Sequence, residues 1–451
     1  MRLTIEKLIY GGDGLARLPA DEYGKGKAVF VPFVLPGETI EASVTGQKAG
    51  FVRATAETVL EPSSHRIRAG CPYFGSCGGC QYQHTSYEQQ LEIKKGILRE
   101  TLLRTAKLEL SSDIHVHPSP PWNYRNRSRL QVQSSPTFAV GYFQSGSHQV
   151  VPVEECPISS PLINRGIAAL LQNGRAGKVP QGVREVEFFA NADDTLLLAE
   201  VLCHDSARRS VVRMWAEELR ASLPAITGIV AFREPNSRER HKAKPELLVT
   251  TGNSFLLYQT RLSAFRVSAG SFFQTNRHLI DELVDLVIAR ASGNQALDLY
   301  AGVGLFSTAL AGDMRHVVSV ESSQTSSDDL AYNRSSNGKT VLGTTEQYLA
   351  RVVDQGRVGK GALLPHTHKK PDLAVVDPPR SGLGERVARL LATLGAPRAV
   401  YVSCDPATLA RDLVILIAAG YRIEQVHLVD LFPQTYHVES VVHLVSGTST
   451  Q

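Results

Sequence analysis

The chain has 451 residues, of which 43% are hydrophobic, and 48 Lys and Arg against 44 Asp and Glu leave it a net charge of +4. That balance, with a pI near 8.6, permits a nucleic-acid partner without requiring one, and the length supplies core for about two or three domains. No apolar run reaches the length of a membrane span and Met1-Arg2-Leu3-Thr4 opens no signal peptide, so a cytoplasmic protein is expected, its six cysteines reduced and read as ligands or nucleophiles before disulfides.

Residues 1–62 read as a small β-barrel, with β-rich runs at 3–10, 28–34, 39–44 and 50–59 and glycine turns at Gly11-Gly12-Asp13-Gly14 and Pro36-Gly37-Glu38. Short strands with glycine turns suggest an OB-like fold, a frequent nucleic-acid platform. Seven Lys and Arg against eight Asp and Glu in this stretch give no broad basic field, so a purely structural barrel stands beside that reading. Cys71, Cys77 and Cys80 follow among glycines, and Cys156-Pro157 comes much later. Glycines let a backbone fold around a metal centre, and a fourth thiolate completes a set able to hold a [4Fe–4S] cluster. A tetrahedral zinc site is the alternative.

Ser86-Tyr87-Glu88-Gln89 reads as a capping box opening an amphipathic helix to about Lys107, with Leu91, Leu98 and Leu102 on one stripe, packing on the C-terminal domain. Residues 117–262 read as a β-rich central domain, with strands at 128–132, 138–144, 185–189, 195–201 and 247–250. Two basic segments interrupt it, Tyr124-Arg125-Asn126-Arg127-Ser128-Arg129 and a loop over 233–244; such runs are usually solvated faces, though the loop can also meet phosphates. Cys203 has no partner and reads as core.

From Ser268 helix and strand alternate, the pattern of an α/β sheet. A strand at 296–300 runs into the loop Asp298-Leu299-Tyr300-Ala301-Gly302-Val303-Gly304, where glycines let a ligand approach the backbone. The next strand, 316–320, ends in Glu321, nineteen residues beyond Gly302, where a carboxylate can bond both ribose hydroxyls of a nucleoside cofactor or simply face solvent. A strand at 373–376 ends in Asp377-Pro378-Pro379-Arg380, whose prolines stiffen the Asp377 carboxylate, and 354–370 reads as an insertion. The apolar run 399–402 then stops at Ser403-Cys404-Asp405-Pro406, with a helix from Ala407 to Ala418. A thiol at the carboxyl end of a strand and beside a helix amino end is expected to have a lowered pKa and to act as a nucleophile, or to be a small buried apolar residue. The strands at 426–431 and 438–445 are joined by a short connector and must be antiparallel, so the last one starts on the side where the parallel strands finish. Glu439 therefore shares a rim with Gly302, Glu321, Asp377 and Cys404, a candidate base beside a candidate nucleophile.

Taken together, Asp377-Pro378-Pro379-Arg380, Ser403-Cys404-Asp405-Pro406 and His437-Val438-Glu439-Ser440 resemble the RNA 5-methyluridine methyltransferases. Phe273-Gln274-Thr275-Asn276 and the Cys71/Cys77/Cys80/Cys156 set resemble their iron–sulfur branch, whose N-terminal module is a TRAM domain. The resemblance spans essentially the whole chain. It implies a Rossmann-like methyltransferase domain at 263–451, mostly parallel with an antiparallel last strand, after a TRAM/OB-like barrel at 1–62, a central cluster-bearing, RNA-binding domain at 63–85 and 117–262, and a helical segment at 86–116. It implies S-adenosylmethionine held by Gln274, Tyr300, Glu321 and Asp377, a [4Fe–4S] cluster on the four cysteines, Cys404 as nucleophile and Glu439 as base. The acceptor is a uridine in RNA, ribosomal in preference to transfer RNA, with the enzyme a monomer. Leu305 departs from the family pattern, standing where some members place a cofactor-contacting asparagine. Methylation of a base nitrogen, or a non-catalytic iron–sulfur RNA-binding protein, are the competing functions; the first is disfavoured because amine-methylating enzymes use Asn-Pro-Pro-Tyr-like loops.

Overall fold

The computed structural model describes residues 1–18, 26–235, 245–357 and 370–447. Residues 236–244 of the expected basic loop and 358–369 of the expected insertion lie outside them. The first residues of that insertion are not loop: they belong to the helix Thr345–Arg357, which buries Tyr348, Leu349 and Val352 along one face.

At the N-terminus six strands form one sheet in the order Arg2–Thr4, Thr39–Gln47, Phe51–Glu61, Ala28–Val31, Gly14–Arg17 and Lys7–Leu8. The single strand expected over 3–10 is broken because its partner changes: the Ile5 amide bonds the Glu38 carbonyl and the Glu6 amide bonds Leu15. The two edge strands are consecutive in the chain, so the sheet curls back on itself around Leu3, Ile5, Val29, Val31 and Ile40.

The central region is not β alone. Its seven-stranded sheet runs Val150–Pro152, Ala139–Phe143, Arg127–Gln133, Val183–Ala190, Leu197–Cys203, Ile226–Arg233, Glu246–Gly252, and the helices Pro161–Arg175 and Arg209–Ser222 share a core with it. Cys203 is fully buried in that core.

The C-terminal sheet has eight strands, ordered Gly338–Leu342, Met314–Glu321, Gly293–Leu299, Leu373–Val376, Arg398–Ser403, Glu439–Ser446, Tyr421–Val429 and His115–His117. The first five are mutually parallel and Glu439–Ser446 runs antiparallel to both its neighbours. The chain moves outward from Gly293–Leu299 to Gly338–Leu342, then returns to the other side at Leu373–Val376. That reversal creates a crevice at the carboxyl ends of the two central strands, where open α/β sheets bind ligands. The last strand of the sheet, His115–His117, is donated from far upstream in the sequence.

The helix Tyr87–Ala106 ties these parts together. Ser86 caps it by accepting from the Gln89 amide, and its buried face is Gln90, Ile93, Lys94, Ile97, Leu98 and Leu102, with Leu91 only half-buried. Leu98 and Leu102 pack in the same core as Leu409 and Leu413 of the helix Pro406–Ala418.

Candidate active site

Four residues singled out in the sequence stand at the carboxyl edge of successive parallel strands: Tyr300, Glu321, Asp377 and Cys404. Glu439 joins them because Ser403 pairs with Ser440, so the next step of the register sets Glu439 opposite Cys404. Gln274 arrives from another direction. It follows the strand Ala264–Ser268, and its neighbour Phe273 packs in one core with Val303 and Leu305 of the glycine loop. The Asn276 amide donates to the Leu431 carbonyl at 3.1 Å, while Asn126 donates to the Gln274 carbonyl at 3.1 Å. Gln274 is thereby fixed beside the crevice, 8% exposed.

The glycine loop turns by entering left-handed backbone three times, at Tyr300 (φ 66°), Gly302 (φ 57°) and Gly304 (φ 94°). For Tyr300 this is a costly conformation, tolerated where surroundings over-determine it. Glu321 helps to do so: one of its oxygens accepts the Gly302 amide at 2.9 Å and the other the Ser323 amide at 2.6 Å. Below the loop Asp298 is fully buried, with Ser307 bonded to one oxygen and no partner for Oδ1. Burial lifts Asp298 to about 6; Asp377, half-buried and near Asp298, rises to about 7.

Cys404 is half-buried and its environment overturns the expected activation. Burial pushes the thiol up to about 12, Glu439 and Asp377 push the same way, and Arg380 opposes them. The helix amino end gives no help because Asp405 occupies it, its carboxylate accepting the Ala407 and Thr408 amides at 2.9 Å each. Glu439 is 5% exposed and its carboxyl is held well above the usual range, first by burial and then by Asp377.

Several contributors were invisible in the sequence. Arg380 was read only as part of a motif, yet its guanidinium faces Cys404 and Glu439 and lies 3.4 Å from His437 Nε2. Burial and Arg380 depress His437 to about 3, so it is a neutral imidazole at ordinary pH. The connector before Glu439 is held by a buried ion pair, Lys94 to Asp430 at 2.6 Å, with Lys94 also donating to the Phe432 carbonyl. Gln90 and Gln434 bond reciprocally, and the Tyr124 hydroxyl donates to Pro433 at 3.0 Å. A buried lysine and glutamine on a helix resemble surface residues until the partner is known.

The four motif cysteines line one cavity of about 60 Å³, together with Arg125 and Tyr142. Among the described residues no three His, Cys, Asp or Glu side chains converge on a single ion position. Burial raises Cys77 to about 11 and Cys80 to about 12, and the neighbouring thiols add to both. The Arg125 guanidinium, lining the same cavity, opposes that rise.

A mostly parallel α/β sheet with a thiol and three carboxyl side chains around its switch-point crevice has the architecture of a ligand-binding α/β enzyme. The family model for tRNA (uracil-5-)-methyltransferases matches residues 86–446 and that for the TRAM domain matches residues 1–56. An RNA methyltransferase of Aquifex aeolicus whose activity is uncharacterised is 33% identical over 98% of both chains. The 23S rRNA (uracil(1939)-C(5))-methyltransferase RlmD of Pseudomonas fluorescens is 33% identical, covering 98% of this chain and 90% of that one. In fold the chain is similar to the tRNA (uracil-54, C5)-methyltransferase of Pyrococcus abyssi, solved with S-adenosyl-L-homocysteine, at a TM-score of 0.73 and 23% identity over 99% of this chain and 100% of that one. The chain belongs to the tRNA (uracil-5-)-methyltransferase family and is an S-adenosylmethionine-dependent RNA uracil-C5 methyltransferase.

Proposed function

We propose that the protein methylates C5 of a uridine in ribosomal RNA through a covalent adduct between Cys404 and C6 of the uracil. The observation that supports this reading is the pairing of Ser403 with Ser440, one step from Cys404 and Glu439, at the carboxyl edge of the parallel strands. C5 of uracil is too weak a nucleophile to take a methyl group unaided. Addition of the Cys404 thiolate to C6 converts the ring to an enolate with electron density on C5. Once C5 has formed its bond to the methyl carbon, whose bond to the donor sulfur breaks to leave a neutral thioether, C5 carries both that group and its original hydrogen. Glu439 removes the hydrogen as a proton, the enolate re-forms, and its collapse restores the C5–C6 double bond and expels the thiolate. The target base must leave its stack to reach the crevice.

Gln274, Tyr300, Glu321 and Asp377 would hold the donor, Glu321 at the ribose hydroxyls. The donor supplies an electrophilic methyl group and a positive charge, and that charge favours the ionised forms of the rim carboxyls and thiol. This opposes the burial that raises the Cys404 thiol and the Glu439 carboxyl in the free protein.

The N-terminal sheet, read as an OB-like barrel, and the central domain would present the RNA, in a cytoplasmic, monomeric enzyme. Ribosomal RNA is favoured because a relative named for 23S rRNA matches over 98% of the chain at 33% identity. The cysteine quartet would hold a [4Fe–4S] cluster as a structural clasp between the 71–80 loop and Cys156. Support comes from four thiols ringing a cavity rather than a point, beside the counter-charge of Arg125.

Incubation with labelled S-adenosylmethionine and either 23S rRNA or transfer RNA transcripts tests the reading. Nucleoside analysis should find 5-methyluridine in the ribosomal transcript. Label in a base nitrogen, or in neither RNA, would refute it.

A further inference from the structure

The N-terminal sheet domain reaches into the catalytic loop at one defined atom. The Tyr10 hydroxyl, at the end of the Lys7–Leu8 strand segment, donates to the Cys404 carbonyl at 3.1 Å. The other side of the same peptide is also held, since the Asp405 amide donates to Ser403 Oγ at 3.3 Å. Both polar groups of the Cys404–Asp405 peptide are therefore engaged, which fixes the backbone torsion that aims the Cys404 side chain. Tyr10 is itself held in place. Its ring stands edge-on to Tyr436, centroids 5.5 Å apart, and Tyr436 lies in the connector leading to Glu439. The Tyr436 amide donates to Gln81 in the loop that follows Cys80. Burial, then Asp405 and Tyr436, raise the phenol above its ordinary range, so the hydroxyl keeps its proton and stays a donor.

We propose that Tyr10 is a positioning residue for the nucleophile: the N-terminal domain, besides any role in docking RNA, completes the catalytic loop by pinning the Cys404 carbonyl. The proposal rests on the covalent reading above. A hydrogen bond that only aligns the attacking atom changes the rate of adduct formation while leaving the affinities alone.

The test compares the full-length wild type with Tyr10→Phe, which keeps the ring and removes the donor. The substrates are the ribosomal transcript and its 5-fluorouridine counterpart, on which the adduct is trapped because C5 has no proton to lose. Tyr10→Phe should lower kcat, and slow adduct formation by the same factor, on the order of tenfold. KM for RNA and the Kd for S-adenosylmethionine should stay within about twofold, and the Asp405 amide should exchange faster with solvent. Unchanged kcat, or a loss confined to KM, would overturn the proposal. Tyr10→Leu separates packing from the bond: if only that variant is slow, the ring matters and the hydroxyl does not. A wild type that makes no 5-methyluridine sinks the covalent reading and this proposal together, whereas an active wild type matched by Tyr10→Phe sinks this proposal alone.

Discussion

Cys404 and the quartet of Cys71, Cys77, Cys80 and Cys156 occupy two half-buried sites in which burial does the same thing to the thiol. It lifts Cys404 and Cys80 alike to about 12 and Cys77 to about 11. A shifted pKa therefore does not distinguish the proposed nucleophile from the proposed ligands. Their neighbours do. Cys404 faces two carboxyls, Glu439 and Asp377, with Arg380 at the rim; the quartet faces its own members, the Arg125 guanidinium and, at Cys71, one carboxyl, Glu155. The first arrangement can pass a proton to a base. The second sets four thiols around one cavity, the arrangement the proposed cluster would need. The two sites also share scaffolding. Arg125 lines the cysteine cavity while Tyr124 beside it bonds the connector before Glu439, and Lys94 pins that same connector.

The comparison breaks most sharply if the two kinds of cysteine can be exchanged. Cys404→Ala should lower turnover by on the order of 10⁴-fold or more while leaving the melting temperature and any bound iron unchanged. Cys80→Ser should do the reverse: iron and sulfide measured anaerobically should fall and the protein should melt lower. Substantial turnover by Cys404→Ala would make it the structural thiol instead. Glu439→Gln should reduce turnover by about 10² to 10⁴-fold, and a denaturant-resistant RNA–protein adduct should accumulate on gels because proton removal stalls. Loss of turnover with no adduct would move Glu439 to an earlier step.

Lys94→Met tests the shared scaffolding. It leaves the buried Asp430 without its counter-ion, its carboxylate still bonded by the Tyr87 hydroxyl, so denaturant unfolding should show a loss of about 3–5 kcal/mol. A variant as stable as wild type would mean the connector is held by Gln90 and Tyr124 alone. The smallest expected effect concerns charge. Alkylation of Cys404 by iodoacetamide should accelerate as pH rises, because the thiol must ionise. With S-adenosylmethionine bound that profile should lie about one unit lower than with the uncharged S-adenosylhomocysteine. Coincident profiles would show that the sulfonium charge does not reach the thiol.

How much of this was legible in the sequence depended on how local the cause was. Six of the eight strands of the C-terminal sheet could be read because its alternation is local, though the edge strand Gly338–Leu342 could not, and the short 432–437 connector implied the antiparallel strand that opens at Glu439. The helix Pro161–Arg175 was missed although Ser160-Pro161 is an ordinary helix start with a capping bond from Ile163. The strand His115–His117 carries no such signal; three residues become a strand only through pairing with Tyr421–Val429. The thiol pKa was misjudged because the sequence shows a helix amino end but not that Asp405 already occupies it. Lys94 and Tyr10 act through partners more than 300 residues away, beyond any pattern in the chain.

The claim that everything turns on is which sulfur bonds the pyrimidine. Digestion of the complex trapped on 5-fluorouridine RNA, followed by mass spectrometry, should place the nucleotide on the peptide containing Cys404. A nucleotide mapped to Cys71, Cys77, Cys80 or Cys156, or a methylated product released with no protein-bound species at any time, would contradict the account.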